Sequence, residues 1–217
     1  MIRTILLDFD GVILESVRVK TDAFRELFSF RPDRVDEIVD YHRNNTGVSR
    51  FEKFRYIYRT ILREPLTDEQ FRWLSGRYAE LVVDGVLASP FVPGAREFLE
   101  RCSAEVPLFV VSASPQEELE SIVEKRGLAP FFGEVFGAPT RKVDAIRRIL
   151  ALTGSPPRGT VFVGDAVNDL AAARETGVRF IGRRPPEDPD RFSGVEGVEV
   201  VVGDLEELSL YIGGKTC

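Results

Sequence analysis

The chain is short of cysteine, histidine and positive charge, and it has no long apolar run. Two cysteines, Cys102 and Cys217, cannot make a disulfide framework, so a reducing compartment is expected. No apolar stretch approaches the roughly 20 residues that span a bilayer, which excludes a transmembrane class. Met1 leads straight into Ile5-Leu6-Leu7 without a basic leader and cleavage site. No signal peptide is therefore expected, and the cytoplasm is the expected setting. Lys and Arg total 29 against 35 Asp and Glu, a net charge of −6. That balance speaks against a nucleic-acid partner, and nothing suggests a membrane one. Internal repeats and low-complexity segments are absent. The only histidine, His42, is expected to be a polar surface residue rather than a ligand.

What is present is the composition of a soluble globular protein. The 217 residues are 43% hydrophobic and 29% charged, enough for one large domain or two small ones. The organising stretch is Thr4-Ile5-Leu6-Leu7-Asp8-Phe9-Asp10-Gly11-Val12. Its apolar run reads as a buried central strand. It stops at two carboxylates one residue apart, with a glycine behind them. From about Ser16 to Ser89 the pattern is helical throughout. One helix runs from Val17 to Phe28, and a second opens at Pro32-Asp33 and stops near Asn44-Asn45-Thr46-Gly47. Ser49 and Glu52 form the pattern of a capping box for a third, with Phe51, Phe54, Tyr58, Ile61 and Leu62 on its apolar face. Pro65 breaks that helix, and Thr67 caps a fourth.

Strands and helices then alternate. Val106–Val111 is a strand ending at Ser112-Ala113-Ser114. Ser114 is expected to cap the next helix, with Pro115 at its first position. Val135-Phe136 is a short strand, and Lys142 starts a helix. Thr160–Val163 ends at Gly164-Asp165, and Asn168–Thr176 is helical. Val178–Ile181 and Val198–Val202 are further strands, and Arg184–Pro189 is an exposed loop. Such alternation implies an α/β fold, a Rossmann-like parallel sheet with helices on both faces. The expected organisation is a core of residues 1–15 and 90–217 with an all-helical cap domain, 16–89, inserted over the strand ends.

Ligand sites in open α/β sheets lie beyond the carboxyl ends of the strands. Asp8 and Asp10 end the first strand, Ser112 ends the second, and Asp165 ends a later one, with Asp169 four residues on. Lys142 opens a helix where a cation opposes the macrodipole, so an anion is expected beside it. Carboxylates, a hydroxyl and a lysine at one sheet edge suit Mg²⁺ and a phosphate.

Here the sequence resembles the haloacid dehalogenase superfamily, in its phosphotransferase branches with a small helical cap. Asp8-Phe9-Asp10-Gly11-Val12 is similar to the first motif, and Val110-Val111-Ser112 to the second. Lys142 is similar to the third, and Gly164-Asp165 with Asp169 to the fourth. The resemblance implies that Asp8 is the nucleophile, forming an aspartyl-phosphate. It implies that Asp10 is the general acid and base. Mg²⁺ would be held by Asp8, the backbone carbonyl of Asp10, and Asp165. Ser112 and Lys142, with backbone amides near Gly11 and Ala113, would bind the phosphoryl group. Asp169 would orient the metal's surroundings or Lys142, or would be only a helix N-terminal acid. Arg141 rivals Lys142, and Val143 stands where the family often has proline.

Within that resemblance Asp10 leaves a phosphatase or a sugar-phosphate mutase, and the expectation is a phosphatase for a small phosphorylated metabolite, such as a sugar phosphate or a phosphoglycolate-like monoester, working as a monomer or weak homodimer. Two alternatives stand beside it. Gly47-Val48-Ser49-Arg50 and Ser112-Ala113-Ser114 resemble β-phosphoglucomutase, although Lys20 and Pro115 replace that group's histidine and lysine. The other alternative is a non-catalytic module that binds a phosphorylated ligand. Substrate choice would fall to the cap, with Arg50, Lys53 and Lys20 as candidates and His42 also within the field. The competing expectation is that Lys53, Arg55 and Arg59 only solvate one face of the third helix.

Overall fold

The computed structural model describes residues 1–185 and 190–213. Six strands form one wholly parallel sheet in the order β3-β2-β1-β4-β5-β6. They are β1 (Thr4–Leu7), β2 (Leu108–Pro115), β3 (Phe132–Ala138), β4 (Thr160–Gly164), β5 (Arg179–Arg183) and β6 (Val198–Val202). The first strand lies in the interior of the sheet. Leu7 pairs with Val110 on one side and Val163 on the other. A parallel strand covered on both faces reads as a continuous apolar run, and every residue of β1 is buried. Its side chains still alternate. Leu6 joins a core with α7 (Lys142–Thr153) and α8 (Val167–Thr176). Ile5 and Leu7 join the larger core with α5 (Ala95–Ser103), α6 (Gln116–Lys125) and α9 (Leu205–Ile212).

Between β1 and α5 stands the helical block: α1 (Val17–Leu27), α2 (Val35–Asn44), α3 (Arg50–Tyr56) and α4 (Asp68–Ala88). The chain enters and leaves it through two paired segments. Glu15 N donates to Pro90 O at 3.0 Å and Val92 N to Ile13 O at 3.0 Å. Thr67 and Gln70 make a complete capping box at the start of α4. The block meets the sheet edge where Asn168 Nδ2 donates to Gly47 O at 3.2 Å. A Cβ at Gly47 would stand 2.9 Å from the Cβ atoms of Ala166 and Asn168, so only glycine permits that approach.

Several details depart from the expectations. Strand β2 continues through Ser114 to Pro115, and α6 starts at Gln116. Ser114 is therefore not a helix cap; its hydroxyl is engaged by Asp10 and Lys20. Ser49 caps α3 by accepting from Phe51 N at 3.3 Å, without the Glu52 half of a box. The third helix widens into a π-helical turn, Ile57–Leu62, and ends at Arg63 in the left-handed region, ahead of Pro65. Helix α9 was not anticipated. Of the exposed loop expected at 184–189, Arg184 is exposed but Pro185 is buried, and residues 186–189 lie outside the described residues, as does Cys217. Among the described residues no helix is long and apolar enough to cross a membrane.

Candidate active site

The parallel register brings three strand ends to one edge, because Leu7, Val110 and Val163 stand level. Asp8 follows the first, Ser112 lies two residues past the second, and Asp165 two past the third. Behind Asp8 the chain turns sharply: Ile13 N donates to Phe9 O at 2.9 Å and Gly11 N to Leu14 O at 2.8 Å. Gly11 makes the turn with φ +75°, and a Cβ there would fall 2.4 Å from Asp165 Oδ2. Glycine is needed for both the angle and the space.

Asp8, Asp165 and Asp169 are all buried, and each offers a carboxylate oxygen within 4.8 Å of the others. Lys142 Nζ donates to Asp8 Oδ2 at 2.9 Å and also to Asp169 Oδ1. Asp169 uses its other oxygen to accept from Ala166 N at 3.0 Å. Among the described residues no donor reaches Asp165. Burial raises the Asp8 carboxyl to about 7, with the Lys142 charge opposing and Asp169 and Asp10 adding. Asp165 is raised well above the ordinary carboxyl value, first by burial and then by Asp8 and Asp169. Burial disfavours the Lys142 ammonium, but Asp169 and Asp8 outweigh it and hold it charged. One ammonium cannot balance three ionised acids, so Asp8 and Asp165 tend to keep protons that a cation would displace, and no donor among the described residues reaches Asp165. That donor set fits a hard divalent cation such as Mg²⁺.

Asp10 has other partners. Its Oδ2 accepts from Ser114 Oγ at 3.0 Å and forms an ion pair with Lys20, and its Oδ1 accepts from Ser16 Oγ. Burial works to raise its pKa, but Lys20 and the hydrogen bonds from Lys20, Ser16 and Ser114 bring it below the ordinary value. The carboxyl is thus ionised at neutral pH. Ser112 is buried, and its Oγ accepts from Ser114 N at 3.2 Å.

A cavity runs from this edge into the helical block, lined by Asp8, Asp10, Ser112, Ala113 and Asp165 on one side. Lys20, His42, Arg50 and Lys53 line it from the other. Lys142 lies on a neighbouring cleft that meets the cavity at Ser112 and Ala113. Two expectations are corrected here. His42 is not a surface residue but 3% exposed, and Lys53 does not solvate a helix face but is 2% exposed. Lys53 Nζ lies 3.1 Å from His42 Nδ1. Arg50 reaches across to α6, where NH1 donates to Glu118 Oε2 at 3.0 Å and NH2 pairs with the other oxygen. Arg55 and Arg59 are exposed.

The residue set read from motifs missed Arg183. It is fully buried at the end of β5, where NH1 donates to Gly11 O at 3.0 Å and to Glu15 Oε2 at 3.0 Å. Its Nε donates to Gly203 O at 3.1 Å. An arginine closing an otherwise apolar parallel strand was the available signal.

Comparison with known proteins agrees with this layout. The profile of the haloacid dehalogenase-like hydrolases matches residues 2–177. A phosphoglycolate phosphatase of Synechococcus elongatus is 28% identical over 181 residues, 81% of this chain and 81% of that one. Phosphoglycolate phosphatase 1 of Pseudomonas aeruginosa is 23% identical over 217 residues, 95% of this chain and 78% of that one. Among solved structures, a β-phosphoglucomutase of Clostridium difficile superposes with a TM-score of 0.76 at 17% identity, covering 99% of this chain and 97% of its own.

Proposed function

The chain belongs to the haloacid dehalogenase-like hydrolases as a phosphoric monoester hydrolase, and we propose that it cleaves a small phosphorylated metabolite with Mg²⁺ through an aspartyl-phosphate on Asp8. The observation that carries the reading is the pairing at the end of β1. Asp8 stands in the acid cluster with Asp165 and Asp169, while Asp10 stands outside it with its own partners. Two carboxylates two residues apart are thereby given different tasks. When bound between Asp8, the Asp10 carbonyl and Asp165, Mg²⁺ would draw charge from the phosphoryl oxygens.

Asp8 attacks phosphorus, and Lys142 and Ser112 hold the phosphoryl oxygens together with the amides of Gly11 and Ala113. Asp10, ionised in the ligand-free site, takes up the proton that a phosphomonoester monoanion brings, passes it to the leaving oxygen and later takes one from the attacking water. Lys20 keeps Asp10 ionised in the ligand-free site, the state that accepts a proton. Asp169 positions Lys142 from below. The phosphoglycolate phosphatases among the relatives support a short, acidic substrate, and the cytoplasm is the setting this implies.

The test is phosphate release from a panel of phosphorylated sugars, nucleotides and 2-phosphoglycolate, with and without MgCl₂. Acid quenching during turnover should trap a phosphorylated Asp8 peptide visible by mass spectrometry. Asp8→Asn should keep the fold and lose both signals. Full phosphate release by that variant would remove Asp8 as the nucleophile. Transfer of phosphate between sugar positions without release would favour the mutase.

A further inference from the structure

We infer that Lys53 and His42 form a receptor for a carboxylate on the leaving group, so that the substrate is a short phosphomonoester carrying one carboxylate. This rests on the phosphatase reading for the phosphoryl half of the site only.

The cavity between the sheet edge and the helical block holds an unbalanced charge. Three cations line it from the helical block. Lys20 is paired with Asp10, and Arg50 with both oxygens of Glu118. Lys53 is the third, and among the described residues no carboxylate lies within 4.0 Å of it. An ammonium that is 2% exposed and has no counter-charge is unfavourable in a folded protein. Among the described residues its only hydrogen-bond partners are His42 Nδ1 at 3.1 Å and His42 O at 3.4 Å, with the Phe24 ring centroid 5.5 Å away. Three ammonium protons meet these acceptors, so the group has donor capacity left over. Burial pulls Lys53 down to about 7, and Asp165 and Asp10 across the cavity pull the other way. An anion beside it would restore the charged form.

The histidine fixes the shape of the receptor. Burial and the Lys53 charge hold His42 well below its ordinary value, hence neutral. With Nδ1 accepting from Lys53, the ring proton sits on Nε2. The pair therefore presents a single positive charge and two kinds of N–H donor. A carboxylate has one negative charge and two oxygens, and matches it. A second phosphate would bring two charges and three oxygens, and the Arg50 charge that could balance the excess is paired with Glu118, which leaves only its Nε without a partner among the described residues. A sugar hydroxyl would leave Lys53 uncompensated. The Phe24 ring packs against both members of the pair, its centroid 4.1 Å from that of the His42 ring and 5.5 Å from Lys53 Nζ.

The test compares 2-phosphoglycolate with 2-hydroxyethyl phosphate, which differs by having an alcohol in place of the carboxylate. Binding is measured calorimetrically with MgCl₂ on the Asp8→Asn protein, which needs no turnover, and hydrolysis is measured on the parent. The carboxylate should improve affinity about 10–100-fold, the worth of a charge-assisted hydrogen bond. Adding Lys53→Met should bring that ratio close to one, and Lys53→Gln, which keeps a donor without charge, should fall between. A ratio near one before substitution, or an unchanged ratio in both Lys53 variants, overturns the receptor. Absence of hydrolysis in the parent with the ratio intact overturns the phosphatase reading and leaves the receptor standing.

Discussion

Arg183→Met isolates the strut behind the Gly11 turn. Methionine keeps most of the arginine stem but no donor. It leaves Gly11 O and Gly203 O unpaired and strips Glu15 of its bidentate partner. Breaking a buried ion pair by removing one partner costs about 3–5 kcal/mol. The Glu15 side chain is 27% exposed, and water reaching it places the loss near the lower end, about 3 kcal/mol. For a chain of this size each kcal/mol moves the melting temperature by about 2–4 °C, so a fall of about 6–12 °C is expected. Urea unfolding should report the same loss through a shifted midpoint at an unchanged slope. In a double-mutant cycle, Glu15→Gln combined with Arg183→Met should be less destabilised than the sum of the single variants by about 1–2 kcal/mol, because the second change has no pair left to break. A melt within about 2 °C of the parent, or strictly additive losses, would refute the strut. Phosphate release should also fall, since the turn that Arg183 grips directly follows Asp10.

Asp10→Asn should separate the two chemical halves. With p-nitrophenyl phosphate, whose leaving group needs no proton, rapid-quench kinetics should show a burst of nitrophenol and then turnover slowed about 10²–10⁴-fold; an unchanged steady state without a burst counts against Asp10 as the base. Mg²⁺ affinity should rise with pH. Asp8 holds a proton below about 7 and must lose it to ligate, so the dissociation constant at pH 8 should be about ten-fold lower than at pH 6. Flat affinity over that range would show that Asp8 is ionised before the metal arrives. Lys53 gives the opposite kind of linkage. The folded protein lets this proton go near 7, whereas the unfolded chain keeps it to the ordinary 10.5. The unfolded state thus binds more protons between those values, and stability gains with rising pH across them. Lys53→Met should lose that rise in melting temperature, and an identical pH profile in the variant would show that the ammonium is solvated.

The edge of the sheet was legible in the sequence for a simple reason. A buried parallel strand must be apolar, so the first polar residue after each run marks the strand end. Asp8, Ser112 and Asp165 were found by that rule, and Lys142 by its unfavourable place at a helix N-terminus. The rule also misplaced something. Ser114 and Pro115 look like a cap and a first helical residue, yet strand pairing continues to Pro115↔Ala138. The polar partners of Ser114, Asp10 and Lys20, come from 104 and 94 residues away. No local pattern reports such a competitor for the hydroxyl. Helix α9 was missed although a start signal separates it from β6: Asp204 caps it by accepting from Glu207 N, with Glu206 and Glu207 in its first turn.

The interior of the helical block was legible in principle, and the reason it was misread is instructive. Following the aromatics put Phe51 on the apolar face of α3 together with Phe54. Phe54, Tyr58, Ile61 and Leu62 are buried as expected, but the buried set also holds Arg50, Lys53 and Ile57, which with Phe54 make the spacing i, i+3, i+4, i+7 of a core-facing stripe. Phe51 is only partly covered. Two of those stripe positions hold cations, and a reading that equates charge with exposure leaves Arg50 and Lys53 out and takes Phe51 in their place. The same happens on α2, where Ile38, Val39 and His42 form one buried row and the histidine was taken for surface. Keeping the period and accepting the polar residues would have put His42 and Lys53 inside. A core position spent on an ammonium needs compensation from somewhere. Arg50 finds it in Glu118 on the other side of the cavity. Among the described residues Lys53 finds only the ring and the carbonyl of His42, and that missing counter-charge is the reason an anion from outside is proposed for it.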